Sequence, residues 1–237
     1  MGDWKAKRFW KTVDVVSGDD GFAVVLDGRP VKTPAKRPLQ LPTRPIAEAV
    51  AVEWDAQQDL INPATMPATR TANAALDKVS IQHAEVAEML AAYGDSDLLC
   101  YRAESPEELV VRQAAHWDPL LAWAEATLGA PLAPRSGVMH IPQAADSISI
   151  LRARTHALTD FELAAFHDLV SLSGSLVLGF AAALKARPVD ELWALSRLDE
   201  TWQEEQWGED DDATALALIK REAFVHADRM FALAQVE

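Results

Sequence analysis

The sequence predicts an α+β fold, with a small sheet and its covering helices first and a run of helices after it. Apolar residues alternate at strand period up to Leu41, then recur at helical period from Ile46 onward. Turn-forming residues crowd the N-terminal part, while helix caps and first-turn prolines mark the rest. The division expected from this change is 1–83 for an α/β part and 84–237 for a helical part.

The first strand is expected over Arg8 to Val16, with Phe9, Val13 and Val15 on one face. Ser17 to Gly21 reads as a turn and Phe22 to Leu26 as a short apolar strand. Asp27-Gly28 is a hairpin signal, because glycine supplies the positive φ that a tight turn needs. Val31 to Thr33 returns and Pro34 stops it, while Leu39 to Leu41 makes a short strand between Pro38 and Pro42. Thr43 caps a helix with Pro45 in its first turn, and Ile46, Ala49, Val50, Glu53, Trp54 and Gln57 share one broad face. Asn62-Pro63 and Met66-Pro67 break the chain before a helix from about Arg70 to His83. These elements form two layers, a sheet with helices on it.

Beyond residue 84 the pattern reads as almost wholly helical. Glu85 to Tyr93 is a short helix ending near Gly94. Ser105-Pro106-Glu107-Glu108 starts another, with Ser105 as cap and Pro106 in the first position; it runs to Trp117. Asp118-Pro119 restarts the helix and Gly129 ends it. Residues 130–146 are irregular and proline-bearing. Thr159-Asp160-Phe161-Glu162 is a capping box, and Gly174-Ser175 separates two very apolar helices. Pro188 opens a helix ending near Gly208, and a last helix runs from Asp212 to Val236.

Composition narrows the function. The net charge is -14 over 237 residues. Residues 1–45 hold nine Lys/Arg against five Asp/Glu, so the rest of the chain is strongly acidic. An acidic body disfavours nonspecific nucleic-acid binding and anionic membranes, so neither nucleic acid nor stable membrane association is expected. The most apolar run, Leu176 to Leu184, is far shorter than a membrane span and leads into Lys185. The start shows no secretory h-region and no Arg- and Ser-rich transit pattern. The sole cysteine, Cys100, cannot form an internal disulfide and fits a reducing compartment. Its apolar neighbours Leu98, Leu99 and Tyr101 mark a buried thiol rather than a nucleophile.

Catalytic constellations do not emerge. Phosphate-loop, dinucleotide and nucleophile-elbow patterns are missing from the sequence. His83, His116, His140, His156, His167 and His226 include no i, i+4 pair of the kind a helical zinc site uses. Asp95-Ser96-Asp97 lacks the further oxygen ligands of a calcium loop and reads as a polar cap. Nothing in these patterns points positively to a cofactor or to catalysis, and their absence does not exclude an enzyme.

One ordered set of motifs stands out. It comprises Arg8-Phe9-Trp10-Lys11, Leu26-Asp27-Gly28-Arg29-Pro30-Val31-Lys32-Thr33-Pro34, Glu53-Trp54-Asp55-Ala56-Gln57 and Met66-Pro67. Asp97-Leu98-Leu99-Cys100-Tyr101-Arg102, Trp117-Asp118-Pro119-Leu120, Gly174-Ser175-Leu176 and an acid-flanked Trp207-Gly208 follow. In order and spacing the set resembles the F1-ATPase assembly chaperones that act on the α subunit. The resemblance covers the chain from about residue 8 to the last helix; Trp10 departs from it, where tyrosine is the more usual aromatic.

The resemblance implies a small N-terminal α/β two-layer domain followed by a C-terminal orthogonal helical bundle. It implies a non-enzymatic chaperone, needing no cofactor, that holds unassembled α subunit of F1 until β replaces it; the free protein is expected to be a monomer. The expected place is the bacterial cytoplasm or, for a processed organellar form, the mitochondrial matrix. On that footing Trp202, Glu205, Trp207, Glu209 and Asp210 are candidate partner contacts, within an acidic segment from Glu200 to Asp212 that reads either as a docking face or as a solvated helix end. Glu53 and Asp55, flanking Trp54, read either as partner contacts or as pairs to Arg8, Arg29 or Lys32 that fix sheet to helix. Trp4, Trp10, Trp54 and Trp117 also lie in polar surroundings, and Trp54, on a helix face with Ile46 and Val50, reads as core. A general adaptor and an unrecognised hydrolase or transferase are the competing readings.

Overall fold

Two glycine-bearing turns set the N-terminal sheet. The structure, a computed structural model, describes residues 7–137 and 139–235. Strand β1 (Val13–Gly18) pairs antiparallel with β2 (Gly21–Leu26), from Val13 opposite Leu26 to Gly18 opposite Gly21. Gly21 has φ +123°, and a Cβ there would meet the Leu41 carbonyl oxygen at 2.5 Å, so only glycine fits. Asp27 and Gly28 both take positive φ (47° and 77°), the two-residue turn expected of that pair. They lead into β3 (Arg29–Pro30), and β4 (Gln40–Leu41) pairs with the Phe22–Ala23 end of β2.

The expected strand over Arg8 to Val16 begins only at Val13. Val13 and Val15 are half-buried on one face as expected, but Phe9 is 67% exposed. Residues before Val13 serve other partners. The backbone N–H of Arg8 donates to the Asp59 carbonyl, and those of Lys11 and Thr12 donate to the Asp27 carboxylate. These bonds hold the Asp27 carboxyl below its ordinary range, the Thr12 backbone N–H contributing most.

Helix α1 (Arg44–Asp55) covers β1 and β2 and buries Ile46, Ala47 and Val50 against an interior that includes Val24, Leu26 and Leu41. The Thr43 hydroxyl caps it, accepting from the Ile46 N–H, and donates to the Leu233 carbonyl. After a 3-10 turn at Pro63–Thr65, α2 (Pro67–Ala74) begins earlier than the expected Arg70 and runs into a π turn at Ala75–Val79. This unit holds the described residues of Met1–His83 and Arg229–Glu237, together with Thr159–Ala165. The last two segments fall in the helical part when the sequence is cut after residue 83.

The second unit, Ala84–Leu158 with Phe166–Asp228, is built from helices. Helix α3 (His83–Ala91) leads through 3-10 turns to β5 (Tyr101–Arg102) and then α4 (Glu107–Trp123). Pro106 occupies the cap position itself and Ser105 makes no cap, unlike the capping pattern expected there. Nor does Asp118-Pro119 interrupt α4, which runs through Pro119 to Trp123 and continues into a π turn, Ala124–Leu128, capped by Gly129. Proline removes one N–H donor from the ladder, and α4, which packs on α7 and α9, stays continuous through it. Within the irregular stretch, β6 (Arg135–Ser136) lies parallel to β5, a pairing with no local signal.

Helix α5 (Ala145–His156) precedes α6 (Asp160–Ser173), which opens with the expected capping box: Glu162 N–H donates to Thr159 Oγ1, and Thr159 N–H donates to Glu162 Oε2. In α7 (Leu176–Ala183) every residue is buried, as a helix apolar all round must be. The expected helix from Pro188 to Gly208 is two, α8 (Val189–Ser196) and α9 (Leu198–Trp207), broken at Arg197. Helix α10 (Asp211–Ala234) closes the order, so the expected end at Val236 lies outside the described residues. None of the described helices is long and apolar enough to cross a membrane.

Candidate partner-binding surface

Most of the motif residues find their partners in one another. Arg8 donates to the carbonyls of Asp55 and Gln57 and pairs with the Asp55 carboxylate at 3.3 Å. Trp10 is buried beside Trp54, their rings 5.2 Å apart. Trp54 itself is only half-buried. The Glu53 carboxylate accepts from the backbone N–H groups of Ala68 (2.6 Å) and Thr69 (2.7 Å) and from the Thr69 hydroxyl. A carboxylate at that place satisfies otherwise unpaired donors and complements the positive end of α2. Asp55 therefore meets one of the basic partners expected for it, whereas Glu53 meets a helix terminus.

The second unit repeats this economy. Asp97 is wholly buried, and its carboxylate accepts from Leu99 N–H, Ser175 Oγ–H and Val177 N–H. Burial outweighs these bonds and pushes its pKa up to about 6. Arg102 donates to the Leu99 carbonyl, pairs with Asp118 at 2.8 Å and lies over the Trp117 ring. Trp117, counted among the tryptophans in polar surroundings, is fully buried, and its indole N–H donates to the Leu195 carbonyl. Trp4 lies outside the described residues.

Chemistry finds little purchase. Burial pushes the Cys100 thiol up to about 12, so it stays protonated and unreactive. Among the described residues no group of three or more His, Cys, Asp or Glu is arranged to hold a metal ion. A cleft of about 430 Å³ is lined by Ala92, Asp95, Ala145, Ile148, Ser149 and Arg152. Its charged groups are already engaged, Asp95 with His140 and the Gln143 N–H, Arg152 with Glu88.

The acidic segment divides into residues the fold uses and residues it leaves free. Arg112 of α4 forks onto both oxygens of Glu205 (2.7 and 3.1 Å) and stacks over the Trp202 ring at 5.1 Å. One guanidinium thus clips α9 to α4 through two of the candidate residues. Asp210 accepts from the Ala213 N–H and caps α10. Trp207, at the end of α9, is 79% exposed, and Glu209 is exposed on the link that follows. Beyond the link, α10 holds Leu216, Leu218 and Ile219 in solvent. In the sequence these three carry neither charge nor aromatic ring, and their signal is a helix stripe of large apolar residues beside small ones.

The pattern that defines the ATP12 chaperone protein family matches residues 7–125. The chain is 26% identical over 219 residues to Protein atp12, mitochondrial, of Schizosaccharomyces pombe, spanning 87% of this chain and 75% of that protein. It superposes on the crystal structure of Atp12 from Paracoccus denitrificans with TM-score 0.95 and 46% identity, over 98% of this chain and all of that one. A point mutant of the P. denitrificans protein gives TM-score 0.96 at the same identity, over 99% of this chain and 100% of that one. The Atu1473 protein of Agrobacterium tumefaciens gives TM-score 0.91 at 41% identity, over 98% of this chain and 86% of that one.

Proposed function

Because this chain belongs to the ATP12 chaperone family, we propose that it binds the unassembled α subunit of the F1 part of ATP synthase, prevents its aggregation and releases it for assembly. The family's role as ATP synthase assembly chaperones is the premise, and the match across residues 7–125 carries the reading. The α subunit as client is the finer step. A subunit that will bury a permanent interface exposes a large apolar surface beforehand, and such surfaces aggregate. A holding protein needs a few aromatic and apolar anchors, but total affinity low enough to let the client leave.

Trp207 and Glu209, both exposed, are proposed as direct contacts. Trp202, Glu205 and Asp210 hold α9 and α10 in the arrangement that presents them. Glu53 and Asp55 act by keeping the first unit folded. The work is done by contact rather than catalysis, by a free monomer, in the bacterial cytoplasm or the mitochondrial matrix.

Co-expression with the α subunit alone is the direct test. Soluble α should rise in step with this protein without added nucleotide or metal. Equal insolubility of α at every ratio and ionic strength would defeat the client assignment.

A further inference from the structure

We propose that the outward face of the first turns of α10, together with Trp207, docks an apolar, basic-rimmed surface of the α subunit; this deepens the client assignment and rests on it.

That half of the helix is inverted. Leu216, Leu218 and Ile219 are 52%, 56% and 64% exposed, while the small Thr214 and Ala217 are the half-buried residues. At about 100° per residue, Leu218, Ala215, Ile219 and Leu216 cover one continuous arc of roughly 160°. A surface helix normally turns its polar stripe outward, and an apolar one there marks an interaction site. Further along, α10 behaves ordinarily, burying Phe224 against Trp193 with ring centroids 5.6 Å apart. Among the motifs of the resemblance, Trp207 and Phe9 are the large apolar side chains left exposed, and Trp207 is the more exposed of the two.

Charge selects the occupant. From Asp199 to Arg221 the chain carries eight Asp/Glu against two Lys/Arg, Lys220 and Arg221, and Arg221 is paired with Asp190. Glu205 and Asp210 are spent on Arg112 and the α10 cap, whereas Glu209, Asp211 and Asp212 border the apolar arc in sequence and are exposed. A second copy of the chain would bring the same acids together, and an anionic membrane would be repelled. A partner whose apolar patch is edged by Lys and Arg is steered in instead.

The test uses the full chain carrying Leu216→Ser, Leu218→Ser and Ile219→Ser together, with unaltered circular dichroism and melting as the folding check. Binding to purified α subunit should weaken at least about tenfold. Glu209→Lys should weaken it at low salt and lose that effect at high salt. A photoreactive benzoylphenylalanine at position 219 should cross-link α, whereas the same group at the exposed position 81 should not; this reading decides even if the triple variant misfolds. Binding within about twofold of the unaltered chain, or no cross-link from position 219, overturns the α10 assignment alone. A dimer of the unaltered chain that the triple substitution dissociates overturns it in favour of self-association. Failure of the unaltered chain to bind α at all defeats the client assignment with it.

Discussion

At Asp97, burial and hydrogen bonding pull in opposite directions. Three donors converge on the carboxylate, yet loss of water dominates and pushes its pKa up to about 6, from an ordinary value of 3.8. A carboxyl with a raised folded-state pKa contributes stability that is fully present below 3.8 and is lost as pH rises through about 6. Unfolding free energy should therefore carry a declining component of on the order of 3 kcal/mol between those limits. Asp97→Asn lowers stability overall, because an amide cannot accept all three bonds, but it should flatten that slope. Denaturant titrations of both proteins from pH 4 to pH 7 measure this, and parallel slopes would refute it. The same residue shows the reach of sequence reading at this scale. Asp95-Ser96-Asp97 was legible as a cap, since Asp97 does cap the following 3-10 turn at Leu98–Cys100. Its second allegiance, to Ser175 and Val177, depends on a contact 80 residues away in sequence. Glu53 is the parallel case: its helical position was legible, but its service to α2 arises across a chain reversal.

Helices and turns set by neighbours in sequence were readable, and those set by packing were not. Asp27-Gly28, Thr43 and the Thr159–Glu162 box behave as local chemistry requires. Pro119 and Arg197 invert the local signals: a proline that should restart a helix lies inside one, and an unbroken pattern conceals a break. The first lies in a helix packed on α7 and α9; the sequence around Arg197 offers no explanation for the second. Close packing also governs the pair α6 and α7. A Cβ at Gly179 would approach Val170 Cγ2 to 2.7 Å and the Phe166 ring to 3.2 Å. Alanine should gain up to about 1 kcal/mol in helix propensity. Overpacking in a site with no room should cost about 1–3 kcal/mol. Gly179→Ala is thus expected to destabilise by about 1 kcal/mol, read as a lowered midpoint in urea. A raised midpoint would mean that α6 yields more readily than its buried contacts imply.

For the molecule as a whole, the motifs that made the family legible are largely the ones that hold each unit together. Arg8 with Asp55, Trp10 with Trp54, Asp97 with Ser175 and Arg102 with Asp118 are contacts inside the fold. They identify the architecture and leave the partner surface almost unmarked, which is why the acidic segment could be found but not sorted in advance. Once folded, Glu205 and Asp210 face inward duties while Trp207 does not. The contrast between Trp207 and the fully buried Trp117 has an optical consequence. Acrylamide, a neutral quencher, should quench a red-shifted indole emission that Trp207→Phe removes. Capture of the client should shield that same emission and shift it to the blue, making the protein its own unlabelled gauge of occupancy.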